Sequence, residues 1–202
     1  MEEVHRRPEF NSGDLGHATR SARYAFNKTM RNLLEEHATW TRLMIISVAG
    51  RLPDRPSTGR RLARSQAEIG KAFRPFYGDL AGARMARLLR DQVSCCIELI
   101  EMAQRDDRAE LGQAKAANYL AGDEMAHFLT RVNPSRWPHR LMKRTMATIV
   151  DLTLVEALAR VHGDYFVDIV AYEQLHQEIL AIADLLADGV IGQFPERFAT
   201  DQ

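Results

Sequence analysis

The sequence predicts an all-α protein, an up-and-down antiparallel bundle of four to five long helices plus a short one. Three observations carry this. Apolar residues recur at steps of three and four along most of the chain, the spacing of one helical stripe. No stretch alternates at period two for a strand's length, and the β-branched runs ATIV and VDIV sit inside helical patterns. The breaks between periodic segments are short, which makes neighbouring helices antiparallel.

Taken in order, residues 1–20 carry Pro8, Gly13, Gly16 and scattered charge with no sustained period, so a mobile arm is expected there. Residues 21–202 are expected to form a single bundle domain. Its first helix should start between Ser21 and Asn27 and end near Gly50, with Met30, Leu33, Leu34, His37, Thr41, Met44, Ile45 and Val48 as its stripe. RLPDRPSTG reads as a break. Ser65-Gln-Ala-Glu68 is a capping-box pattern and predicts a short helix to about Phe73, with a turn over Pro75 to Gly78.

A long helix should begin near Asp79, with Gln92 the one polar member of its stripe. Asp106 and Asp107 supply an N-cap for the next, which Asn133-Pro134 stops. Trp137-Pro138 suits the start of another helix, ending at Gly163 and carrying Ile149 and Glu156. Asp164 caps the last helix. Its expected stripe is Phe166, Ile169, Val170, Glu173, His176 or Gln177 and Leu180, closed by Gly189, Gly192 and Pro195.

Composition narrows the function. Lys plus Arg equals Asp plus Glu at 27 each, so no large basic field for nucleic acid exists, although the first third is Arg-rich. No run approaches the roughly 18 apolar residues of a membrane span, and no membrane partner is expected. MEEVHRRPEF begins acidic and lacks an apolar core, so no secretory signal is visible. Cys95 and Cys96 are adjacent, about 100° apart on a helix, which is poor geometry for a disulfide. A reduced cytoplasmic protein with buried cysteines is the reading.

The candidate site is a polar layer. At 1.5 Å per residue, His37, Gln92, the Asn118-to-Asp123 region, Ile149 and Glu173 come to similar heights in an antiparallel bundle, with His176 one turn away. One reading is a hydrogen-bonded cluster that fixes helix register. The other is a transition-metal or small-cofactor site with His37, Asp123, Glu173 and His176 as candidate ligands. His37 should be buried and hydrogen-bonded near Gln92 or Glu173, because its stripe leads into the core. Glu124–His127 and Glu173–His176 also have the Glu-x-x-His spacing of ferritin-like di-iron bundles, with Glu98 and Glu156 in the right order. Glu98 and Glu124 then miss by roughly 13 Å in height. Trp40 is expected half-buried beside Arg42, and the arginines from Arg51 to Arg64 a solvated loop face.

HATWTRLMIISVAGRLPD, RPFYG, DEMAHFLTRVNP and ADLLADGVIGQFPERF resemble landmarks of a family of small bacterial all-helical proteins, common in spore-forming bacilli. The resemblance spans about residues 30–198. Those proteins often carry the label acetylglutamate kinase, which this chain does not support: it offers neither a sheet nor a Gly-rich phosphate loop. Family members carry histidines where this chain has Gln92 and Ile149, and Asn where it has Ala121, while His37, Asp123 and the acidic Glu173 match. The resemblance implies a His/carboxylate layer that holds a metal or cofactor. Three functions follow as expectations: a non-enzymatic cytoplasmic bundle acting by interaction, such as a homo-oligomer; a metal- or cofactor-binding bundle; and a di-iron oxidase.

Overall fold

The computed structural model describes residues 12–105 and 108–199, with side chains from residue 22 onward. The elements are α1 (Ser12–Ala49), α2 (Arg55–Gln104), α3 (Arg108–Val132), α4 (His139–His162), α5 (Tyr165–Gln193) and a final 3-10 turn, Pro195–Phe198. No strand occurs among the described residues, and the all-α bundle is the fold. Each helix packs on its successor and α5 closes on α1. Along α1, Arg31 pairs with Asp184 and Arg42 with Asp168, so α5 runs antiparallel to it. Between α3 and α4, Tyr119 meets Asp151 and Asp123 meets Lys143, again antiparallel.

α2 is two arms. Gly78 breaks it at φ 82°, ψ 170°, a left-handed region that favours glycine, three residues after Pro75. The arm over 55–77 runs down α1, with Arg61 on Glu36 and Phe76 on Phe26. The arm over 79–104 returns, and Gln104 Nε2 donates to the Ala49 carbonyl at 2.8 Å. A straight helix would put Gly70 and Gly82 about 18 Å apart. Instead a Cβ on either would lie 2.5 Å from the other's carbonyl oxygen.

Several boundaries differ from expectation. α1 already includes residues 12–20, and the rest of the expected arm, residues 1–11, lies outside the described residues. The first arm of α2 starts at Arg55 rather than Ser65, because Pro56 occupies the first turn, where a missing N–H costs nothing. Ser65 is therefore no cap; its Oγ donates to the Leu62 carbonyl at 2.7 Å. The expected arginine loop is helical from Arg55 and ion-paired: Arg55 with Glu101, Arg61 with Glu36 and Arg64 with Glu68. The Asp106/Asp107 cap lies outside the described residues. Other signals act as read. α3 ends before Asn133-Pro134, Gly163 closes α4 at φ 75°, and Asp164 accepts from the Val167 N–H at 3.1 Å.

The start of α5 faces the opposite way from its expected stripe. Phe166 and Ile169 are exposed while Asp168 is fully buried, because two arginines hold it inward. Gly189 and Gly192 lie inside α5 rather than ending it. Gly189 makes room for Trp137, whose Nε1 a Cβ there would meet at 2.0 Å. Trp137 Nε1 donates to the Leu185 carbonyl at 3.1 Å, and the ring is fully buried beside Phe73 and Tyr77. This aromatic cluster ends one half of the core; Met44, Leu99, Ile100 and Leu154 fill the other.

Candidate functional site: a polar-ended cavity in the core

A cavity of about 100 Å³ lies where the two halves of the core meet. All five helices line it. Its walls are apolar along Leu34, Met85, Leu129, Met146 and Ile182, and polar groups gather from His37, Arg42, Gln92, Asn118 and Glu156. His37, Gln92, Asn118 and Ile149 of the expected layer therefore do meet, as their heights require. Asn118 Nδ2 donates to the Cys95 carbonyl at 3.0 Å and to Ala114 at 2.9 Å, which pins α3 to α2.

Three of the expected metal ligands lie elsewhere. Asp123 pairs with Lys143 at 3.1 Å between α3 and α4. Glu173 and His176 lie in an outer groove with Glu35, which His176 Nε2 meets at 3.0 Å. Of the set His37, Asp123, Glu173 and His176, the cavity receives His37 but neither carboxylate and not the second histidine. The di-iron set does not assemble either, since Glu98, Glu124 and Glu173 are exposed. His37 itself lines the cavity but is half-buried rather than buried, and its Nδ1 lies 3.3 Å from Ser65 Oγ rather than on Gln92 or Glu173. Ser65 reaches it only because the first arm of α2 lies alongside α1.

The strongest feature is an ionic network whose partners the sequence reading did not assemble. Arg42 Nη1 donates to Glu156 Oε1 at 2.8 Å and to Asp168 Oδ1 at 2.9 Å. Arg160 Nη1 donates to Asp168 Oδ2 at 3.0 Å. Arg42 also sits over the Tyr172 ring, 4.4 Å from its centroid, so Trp40 takes Arg61 as its cation instead. Glu156 Oε2 is buried and has no hydrogen-bond partner among the described residues. The one legible signal was Glu156 inside an apolar stripe of its helix; Asp168 gave none.

Burial moves the titrations in opposite directions. Desolvation lowers His37 to about 4. Desolvation outweighs Arg42 and raises Glu156 to about 7. Cys96, beside the same cavity, is pushed up to about 12 by burial, then by Glu156, and is an inert thiol. Both cysteines are free.

For His37 the unfolded chain takes the proton first, so stability is lost as pH falls from the ordinary 6.5 toward 4. For Glu156 the folded chain holds a proton that the unfolded chain has released, so stability is lost as pH rises from 4.5 through about 7. The two oppose each other over the shared part of that range. His37→Leu should remove the acid-side loss, so its stability relative to the parent should improve as pH falls through that interval. Urea denaturation across the range measures this; parallel pH profiles for the two proteins would refute it.

No known protein family, curated protein or solved structure matches the chain. Among the described residues no helix is long and apolar enough to cross a membrane.

Proposed function

We propose that this protein is a non-enzymatic, cytoplasmic helical bundle that binds a small, largely apolar molecule with a neutral hydrogen-bonding head in its core cavity. The observation that carries the reading is Glu156, a lining residue of the cavity whose Oε2 is buried with no hydrogen-bond partner among the described residues. A buried polar atom left unpaired costs about 1–3 kcal/mol, and a donor on a ligand removes that cost. At alkaline pH, where Glu156 is ionised, Arg42, Arg160, Glu156 and Asp168 balance in charge, so a charged head would leave a net buried charge. An apolar cavity of about 150 Å³ takes up benzene, so this space suits a body of similar or smaller size. The free Cys95 and Cys96 support a reducing compartment.

The test is a melting-temperature titration at alkaline pH with butanol and butyramide, with sodium butyrate as the charged control. The alcohol and amide should raise the melting temperature saturably and the carboxylate should not. Glu156→Gln, which keeps the shape but changes the acceptor, should weaken both responses. No shift with either neutral probe at its solubility limit would overturn the reading.

A further inference from the structure

Outside the cavity, one cluster of side chains has the composition of a metal site. Asp123 and His127 lie one turn apart on the same face of α3, and His139 is the first residue of α4. One ligand atom from each lies within 4.8 Å of the other two. His127 Nε2 is 3.5 Å from Asp123 Oδ2, and the two imidazoles stack at 4.2 Å between centroids. His139 Nε2 is shielded from solvent and has no hydrogen-bond partner among the described residues.

We propose that Asp123, His127 and His139 bind one divalent transition metal ion of the zinc class at the surface between α3 and α4. Two imidazoles and one carboxylate suit zinc, nickel or copper rather than magnesium or calcium, which prefer all-oxygen shells. Zinc takes nitrogen at about 2.0–2.1 Å, which places tetrahedral donors about 3.3–3.5 Å apart. The Asp123–His127 pair is already at that spacing, and His139 closes the remainder by side-chain rotation. The scaffold is rigid. The α3–α4 connection is anchored by buried Trp137 and by Asn133, whose Nδ2 donates to the Gly189 carbonyl at 2.9 Å. His127 is mostly exposed, so a fourth, water-filled position faces solvent.

Lys143 Nζ supplies the cation when no metal is there, 3.1 Å from Asp123 Oδ1. A metal on Oδ2 would share the carboxylate with Lys143 on Oδ1, so the ammonium opposes uptake by charge repulsion. The site is separate from the cavity, so its outcome and that of ligand binding are independent.

The experiment is calorimetric titration of the chelator-treated full chain with zinc chloride alone. The wild type should take up one equivalent. His127→Ala and His139→Ala should each weaken binding at least about tenfold, with the helical circular dichroism retained because both side chains are at the periphery. Lys143→Met should tighten binding by removing the competing cation, a gain that loss of folding cannot produce. Absence of zinc uptake by the wild type, or unchanged affinity in both histidine variants, would overturn the proposal.

Discussion

Arg42→Met should lower the stability of the folded bundle by about 3–5 kcal/mol at alkaline pH. Arg42 is the guanidinium shared by Glu156 and Asp168, both essentially without solvent exposure. Asp168 would keep Arg160, but Glu156 would lose the cation it contacts and keep only the more distant field of Arg160, with both oxygens unpaired. Breaking a buried pair by removing one partner is costly because the remaining charge has lost its water and gained nothing. For a domain of this size the loss corresponds to roughly 6–20 °C in melting temperature. The pH dependence identifies the cause. Glu156 sits at about 7 with Arg42 present, so removing the cation pushes it higher, and lowering the pH from alkaline to neutral should already neutralise it and return part of the loss. The double variant Arg42→Met/Glu156→Gln should recover stability at alkaline pH for the same reason. A melting temperature within a few degrees of wild type at both pH extremes would show that the network holds nothing together.

Gly82→Ala should be nearly as severe. The two arms of α2 touch backbone to backbone at Gly70 and Gly82, and a methyl on Gly82 would lie 2.5 Å from the Gly70 carbonyl oxygen. Backbone cannot rotate aside as a side chain can, so the arms must separate. Their separation would disturb Ile69, Phe73 and Met85, which are buried close to the contact. Overpacking of this kind costs typically about 1–3 kcal/mol and more where the neighbour is main chain. Gly112→Ala is the control. Gly112 is an exposed position in α3 with nothing within 4 Å of its Cβ direction, and alanine there should stabilise by about 0.4–1 kcal/mol. Equal melting temperatures for the two variants would contradict the packing account.

Because it arises within single segments, much of the helical architecture is readable from local sequence. Asn133-Pro134 cannot continue a helix, Gly163 takes the left-handed cap and Asp164 satisfies an orphan N–H, so those boundaries follow from two or three residues each. Rise per residue brought His37, Gln92, Asn118 and Ile149 to one level, because helices with short connections must pack side by side. Rotation about each helix axis is a different matter. Hydrophobic periodicity would turn Phe166 and Ile169 inward, yet Arg42 and Arg160 draw Asp168 in and expose them. No local pattern carries that information, since Arg42 is 114 residues from Glu156 and 126 from Asp168. The same holds for Ser65, which a capping pattern assigned to a helix start. The turn between α1 and α2 lays the first arm of α2 along α1 and makes Ser65 a neighbour of His37 instead. The sequence by itself determined that this chain would be a helical bundle with polar groups at one level of its core. Only the tertiary structure decided which charged groups would pair there, because desolvated charges choose their partners by distance across helices and can outweigh the preference of an apolar face.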